Sequence, residues 1–215
     1  LHLSIRRQRQ MCIRDRYECL KESEDSSTFL VKETVTGILC VLKWGRNRQA
    51  EFLRNEMEIM KKMADRKLSG IPKAYRIFEE NGEVYLVREY IEGMSLAQMV
   101  LQKGGISEAE ICRISRKICQ TAEQFQNPDE PMIHRDIKPE NIVVTPGGEV
   151  VFIDFGTMRS YKKDGSRDTF VVGTRGTAAP EQYGYTQTDQ RTDVYAIGQT
   201  MLYICLLYTS DAADE

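Results

Sequence analysis

Asp136, Lys138, Asn141 and Asp154 are the residues of this chain whose types and spacing suit one shared chemistry. The first three lie in His134-Arg135-Asp136-Ile137-Lys138-Pro139-Glu140-Asn141, which runs into the apolar stretch Ile142-Val143-Val144. A turn at Pro146-Gly147-Gly148 follows, then Val150-Val151-Phe152-Ile153, ending on Asp154-Phe155-Gly156. Two short strands joined by a hairpin turn would fold the chain back and bring Asp154 beside Asn141. Two carboxylates, an amide and an ammonium then converge. That set suits phosphoryl transfer: oxygens to hold Mg²⁺, a carboxylate to orient a hydroxyl, and a cation for the moving charge.

The elements that must position this cluster are legible upstream and downstream. Short strands are expected over 17–21, 28–32 and 38–43, with Thr36-Gly37 turning the chain between the last two. A helix is expected over 48–62, with Phe52, Met57, Ile59, Met60 and Met63 as its apolar stripe. Glu56 falls inside that stripe, where a carboxylate needs a partner, and Lys43 at the inner end of the third strand supplies one; Glu51 is a weaker competitor. Residues 74–90 read as a β-hairpin about Asn81-Gly82. Ser107-Glu108-Ala109-Glu110 is a capping-box pattern opening a helix to about Phe125, whose stripe Ile111, Ile114, Ile118, Ala122 and Phe125 is core. From Gly156 to Gly173 the chain is polar and basic and reads as a loop, and 189–204 reads as a helix.

The two central motifs resemble the protein-kinase signature set, H-R-D-x-x-x-x-N followed by D-F-G with a strand, turn and strand between them. The resemblance extends over residues 17–204 and implies an α+β, bilobal kinase fold, with an N-lobe at 17–90 and an incomplete C-lobe at 91–204. It also implies roles. Asp136 orients the substrate hydroxyl and accepts its proton, Lys138 neutralises charge on the γ-phosphoryl group, and Thr174 bridges the two. Asn141 and Asp154 hold Mg²⁺. Lys43 binds the α- and β-phosphates of ATP and is held by Glu56. Val41 and Val143 belong to the nucleotide site, together with Glu89 and Ile91 in the hinge-like Glu89-Tyr90-Ile91-Glu92-Gly93, with Ser95 toward the ribose. Arg88 falls at the rear of the adenine pocket, an unusual residue there. Asp193 braces the His134–Arg135 backbone, and Ala179-Pro180-Glu181 builds a platform for protein substrates. Lys138, two residues after Asp136, resembles the serine/threonine branch. Arg135 stands as an isolated guanidinium that would pair with a phosphorylated loop residue, Thr169 before Ser166.

One segment departs from that pattern. Where the family carries its glycine-rich phosphate loop, this chain has Lys21-Glu22-Ser23-Glu24-Asp25-Ser26-Ser27-Thr28, without glycine and with three carboxylates. Side chains there hinder close approach of backbone to phosphate, and the carboxylates add unfavourable charge. This keeps a second reading open, a pseudokinase acting as a binding or scaffold module. A small-molecule phosphotransferase is a third, opposed by Ala179-Pro180-Glu181.

Composition bounds the rest. With 215 residues, a net charge of -2 and 41% hydrophobic content, the chain is an ordinary globular sequence with no bias toward nucleic acid or anionic membrane. Its six cysteines are scattered without a C-x-x-C pair, which fits reduced thiols. The expected partners are proteins bearing serine or threonine acceptors, with no nucleic acid and no membrane contact within this fragment. The expected location is cytoplasmic, free or as the cytosolic domain of a larger or membrane-anchored protein. The ends read as foreign to the fold. The stretch 205–214, CLLYTSDAAD, has a DNA encoding whose reverse complement translates as RRQRQMCIRD, which is 6–15 letter for letter. One adapter-like DNA read on opposite strands accounts for both, so 1–16 and 205–215 are expected to be artefact-like tails. The same reading leaves the helix at 189–204 and Glu181 without the partners that further helices would bring.

Overall fold

A computed structural model describes residues 17–103, 106–127, 130–161, 172–184 and 187–209. The chain divides into two compact units. One holds the described residues 17–64 with Pro72–Tyr90, and the other holds Asp65–Ile71 with the described residues from Ile91 onward. Ser166 and Thr169 lie outside the described residues.

The first unit is a five-stranded antiparallel sheet with one helix. Strands β1 (Tyr17–Glu22), β2 (Ser26–Lys32), β3 (Leu39–Gly45), β4 (Ala74–Glu80) and β5 (Glu83–Glu89) take the order β1-β2-β3-β5-β4. Asn81 and Gly82 sit at φ 52° and 78°, the two positive values that a tight hairpin turn between β4 and β5 requires. Strand β3 alternates between faces. Cys40, Leu42 and Trp44 join Phe29, Val31, Tyr85 and Val87 in one apolar cluster, with Phe78 stacked on Tyr85 at 5.0 Å. The opposite face of the sheet is covered by α1 (Arg48–Asp65), whose Ala50, Leu53 and Met57 pack on Val84 and Leu86. The buried stripe uses Leu53, not the expected Phe52, which is half-buried with the Arg48 guanidinium 5.2 Å over its ring. The rest of the expected stripe, Met57, Ile59, Met60 and Met63, is buried.

The second unit is mostly helical. Strand β6 (Met94–Ser95) leads into α2 (Leu96–Lys103), and α3 (Glu108–Glu123) follows. Ser107 caps α3, its hydroxyl accepting the Glu110 N–H at 3.3 Å, and Ile111, Ile114, Ile118 and Ala122 are buried along its core face. After β7 (Met132–Ile133), strands β8 (Ile142–Val144) and β9 (Val150–Phe152) form the hairpin, with β6 added to β8. Strand β10 (Arg159–Ser160) pairs with β7, and α4 (Gln190–Thr209) closes the described chain. Phe125, Phe152 and Phe155 make edge-on contacts at 5.8 and 6.4 Å in the core of this unit. On α4, Ile197 and Ile204 are buried while Val194, Tyr195 and Leu202 are exposed. Ser95 turns inward on its own helix: its hydroxyl accepts the Gln98 N–H at 3.1 Å and its N–H donates to Gln98 at 3.0 Å, so it caps α2.

Candidate active site

The β8–β9 hairpin does what its sequence pattern requires. Ile142 pairs with Phe152 and Val144 with Val150, and the Ile153 N–H donates to the Asn141 carbonyl at 3.0 Å, which sets Asp154 next to Asn141. Pro139–Asn141 is a single 3₁₀ turn that carries Asn141 back toward Asp136. The Asn141 amide donates to the Asp136 backbone carbonyl and to Asp136 Oδ2, both at 3.0 Å.

Asp136, Lys138 and Thr174 close a ring. Thr174 Oγ1 donates to Asp136 Oδ1 at 2.7 Å, Lys138 Nζ donates to Thr174 Oγ1 at 2.6 Å, and Lys138 Nζ lies 2.8 Å from Asp136 Oδ2. A carboxylate offers about four lone-pair positions. Thr174, Lys138 and Asn141 take three, so one remains for an incoming hydroxyl. An ammonium has three N–H donors, and Lys138 spends two within the ring. Asn141 spends both amide hydrogens on Asp136, so its carbonyl oxygen is turned to the other side.

The loop that presents Asp136 is strained and braced. Arg135 has φ 68°, a left-handed value costing a bulky residue about 1–3 kcal/mol. The two oxygens of Asp193 accept the His134 and Arg135 N–H groups at 2.8 and 2.9 Å, in the bracing role expected of it. Burial pushes the Asp193 carboxyl up to about 6, against the lowering effect of those two hydrogen bonds and of Arg135. Arg135 is not isolated: it is buried, and its Nε donates to the Thr157 carbonyl at 2.7 Å, while the Thr157 hydroxyl donates to the His134 carbonyl at 3.0 Å. The Asp154-Phe155-Gly156 segment is thereby tied to the Asp136 loop. His134 is fully buried against Phe125, Phe152 and Phe155, and desolvation lowers its imidazole to about 4.

In the first unit, Lys43 Nζ sits 2.8 Å from each carboxylate oxygen of Glu56, and both side chains are buried. Glu51 is exposed and takes no part in this pair. Val41 is buried in β3 opposite Arg88, and Val143 is buried in β8 opposite Val151. Ile91 is half-buried at the start of the second unit. Glu89 is already engaged: its N–H donates to the Lys73 carbonyl at 2.8 Å, its carboxylate accepts the Lys73 N–H at 2.9 Å, and its own carbonyl accepts from Arg88 at 2.9 Å.

Three arrangements were invisible in the sequence. The glycine-free segment forms a tight turn, with the Ser23 N–H on the Ser26 carbonyl at 2.8 Å. Asp25 in that turn accepts from Arg46 Nε at 2.7 Å and Asn47 Nδ2 at 3.1 Å, so one of the three expected repulsive carboxylates has its charge matched. Glu181 is not left without a partner, since the Thr192 hydroxyl donates to it at 2.7 Å. Gln182, which the motifs do not mark, is buried with its amide reaching three backbone groups.

Among the described residues no three or more His, Cys, Asp or Glu side chains gather as a metal cage, and no helix is long and apolar enough to cross a membrane. Residues 22–211 match the family described as the protein kinase domain. The chain is 31% identical to serine/threonine-protein kinase D of Synechocystis over 210 residues, 88% of this chain and 40% of that protein. It is 28% identical to serine/threonine-protein kinase cds1 of Schizosaccharomyces pombe over 175 residues, 77% of this chain and 36% of that protein. A match to serine/threonine-protein kinase PknB of Mycolicibacterium smegmatis has 35% identity over 58% of this chain and 19% of that protein. The chain therefore spans 40% or less of the length of these relatives. The family generally uses ATP and a divalent metal. With the match running through nearly every described element, this chain belongs to the protein kinase domain family.

Proposed function

We propose that the protein carrying this domain transfers the γ-phosphoryl group of ATP to serine and threonine hydroxyls of protein substrates. The observation that carries the reading is the closed ring of Asp136, Lys138 and Thr174, with Asn141 holding its fourth side. Asp136 keeps one acceptor position, Lys138 one N–H and Asn141 its side-chain oxygen, and each of these matches a need of phosphoryl transfer.

The substrate hydroxyl takes the last acceptor position on Asp136, which aligns its oxygen for attack and receives its proton as the new P–O bond forms and the bond from the γ-phosphorus to the departing ADP breaks. The remaining N–H of Lys138 meets an oxygen of the moving phosphoryl group, where negative charge is largest. Thr174 fixes the carboxylate and the ammonium relative to each other. The Asn141 carbonyl oxygen and the Asp154 carboxylate are hard oxygen donors of the kind Mg²⁺ prefers, and two protein ligands suit an ion that completes its shell with water and phosphate oxygens. When bound there, the ion neutralises phosphate charge. Lys43, oriented by Glu56, binds the α- and β-phosphates. On the first unit, Val41 and the Glu89 carbonyl, which keeps a second lone pair, are the groups offered to the base; on the second unit, Val143 and the backbone of Ile91 are. Supporting a protein substrate, a hollow of about 390 Å³ opens between the segment that carries Thr174, at Gly176, Ala178, Pro180 and Tyr183, and Tyr195 of α4. The cytoplasm, where ATP and reduced thiols coexist, is the proposed location.

The test is transfer from γ-labelled ATP to a generic protein substrate in the presence of Mg²⁺, followed by phosphoamino acid analysis. Label on serine or threonine supports the reading. Label confined to a small molecule, or ATP bound without metal and without turnover, sinks it.

A further inference from the structure

We infer that Gln182 is a positioning residue for phosphoryl transfer, holding the segment that carries Thr174 against the loop that carries Asp136. The inference rests on the kinase reading and extends it to a residue outside the motifs. Gln182 is only 4% exposed, and its amide is fully used. Nε2 donates to the Arg135 carbonyl at 2.6 Å and to the Val172 carbonyl at 2.9 Å, while Oε1 accepts the Ala179 N–H at 2.9 Å. The orientation of the amide is fixed by chemistry. Two backbone carbonyls can face only the NH₂ end, and a backbone N–H can face only the oxygen.

Each partner has a place in the site. The Arg135 carbonyl belongs to the peptide that leads directly into Asp136, and Arg135 is the residue with left-handed φ of 68°. Asp193 holds the N–H side of this strained turn, and Gln182 holds its C=O side. Val172 lies two residues before Thr174, whose hydroxyl bonds to Asp136. Ala179 lies beyond the turn in which the Thr177 and Ala178 N–H groups donate to the Thr174 carbonyl at 3.1 and 2.9 Å. One side chain thus bridges both sides of the Thr174–Asp136 contact and sets their register.

Gly173 fits this arrangement. It has φ 143°, and a Cβ there would come 2.6 Å from Ala178 Cβ and 2.9 Å from Gln182 Nε2. A glycine next to Thr174 is what leaves the amide room to reach the Val172 carbonyl.

Two variants in the protein that carries this domain test the assignment. Gln182→Glu keeps the shape but turns the two donors into an acceptor facing two carbonyls. Gln182→Asn keeps the amide but shortens it. Both are expected to lower kcat by about 10–100-fold with the KM for ATP within about 2-fold of the parent. In Gln182→Glu, lowering the pH from about 8 to about 6 restores one O–H donor, so the ratio of variant to parent kcat should rise. A variant that is merely less stable lowers kcat and loosens the whole second unit, whereas the positioning role confines the change to the segment that Gln182 holds. Amide hydrogen exchange supplies a readout independent of turnover: Thr177, Ala178 and Ala179 should exchange faster, with α3 unchanged. If kcat and KM for ATP worsen together, if α3 loosens as well, or if neither kcat nor exchange moves, the assignment is overturned. A parent that transfers no phosphoryl group refutes the kinase reading by itself, and exchange then decides the role of Gln182.

Discussion

In the second unit, Asp136, Lys138, Asn141 and Thr174 share their hydrogen bonds around a ring, on a loop held by Asp193 and Thr157. In the first unit, the charges are matched pairwise instead: Lys43 with Glu56 in the interior, and Arg46 with Asp25 at the surface. The unit proposed to carry the transfer step keeps every polar residue that the kinase motifs call for. The unit proposed to hold phosphates keeps Lys43 and Glu56 but replaces the glycine-rich loop with a side-chain-bearing turn and places a buried Arg88 at the end of β5. The departures from the kinase motifs thus fall in the first unit, at the turn and at Arg88, while the ring in the second unit is complete.

The strongest way to break this comparison is to remove the acceptor at the centre of the ring. Asp136→Asn is expected to lower kcat by about 10³-fold while leaving ATP affinity within about 2-fold, because the role proposed for Asp136 is on the hydroxyl and not on the nucleotide. Calorimetry with Mg-ATP and a transfer assay on the same protein check both halves. Retained turnover would show that the proton goes elsewhere. Lost ATP binding would show that the ring also shapes the nucleotide site.

The interior pair of the first unit should respond differently, with loss of stability as well as of nucleotide binding. Glu56→Gln removes the carboxylate that both 2.8 Å contacts of Lys43 use. Breaking a buried pair from one side is expected to cost about 3 kcal/mol of folding stability, together with a raised KM for ATP. A thermal melt and ATP titration check this. An unchanged melt would mean that Lys43 is held by its other neighbours.

The contrast between ring and pair also explains what could be read without coordinates. Asn81-Gly82, the Ser107 cap and the continuous apolar runs of β8 and β9 are local signals, and each formed as its pattern dictates. Glu56 was legible because a carboxylate inside a helical stripe is a local anomaly. Leu53 takes the place given to Phe52 because it lies one and two turns before Met57 and Met60, on the face that packs against Val84 and Leu86. Gln182 left no trace because its partners, the carbonyls of Arg135 and Val172, exist as a pair only after folding. The Arg46–Asp25 and Thr192–Glu181 contacts were hidden for the same reason, as were the two-residue strands β6, β7 and β10, which partners define and sequence does not.

Within the second unit, two buried groups respond to acid with opposite sign. His134 has a folded pKa of about 4, below its ordinary value, so between those two values the unfolded chain binds a proton that the folded chain does not. Its contribution to stability therefore falls as pH falls from about 6.5 toward 4. Asp193, raised to about 6, binds a proton in the folded chain first, so its contribution rises over the same acid range and is lost as pH climbs through about 6. The two largely offset each other in the parent. His134→Phe removes one of them, so relative to the parent it should gain about 2 kcal/mol between pH ~7 and pH ~5, read from paired melts. A constant difference across that range would mean that His134 titrates normally when folded.

The smallest expected effect lies at the surface of the first unit, and it decides how the glycine-free turn works. Arg46 ties this turn down three ways: Nε to Asp25 Oδ1 at 2.7 Å, a second guanidinium N–H to the Glu24 carbonyl at 3.1 Å, and its backbone N–H to the Asp25 carbonyl at 3.0 Å. Arg46 and Asp25 are 45% and 42% exposed at their side chains, so water and salt screen the pair, and its worth is less than about 1 kcal/mol. Arg46→Ala keeps the backbone bond and removes the other two. If the turn contributes to nucleotide holding through its fixed position, the KM for ATP should rise by up to about 5-fold at low salt, with kcat and the melt nearly unchanged. Raising salt should bring the parent toward the variant, because screening weakens in the parent the contact that the variant already lacks. If KM stays flat in both proteins at every salt concentration, the turn takes no part in holding ATP. Phosphate binding by this unit then falls to Lys43, held by Glu56, and not to the segment where the family carries its glycines.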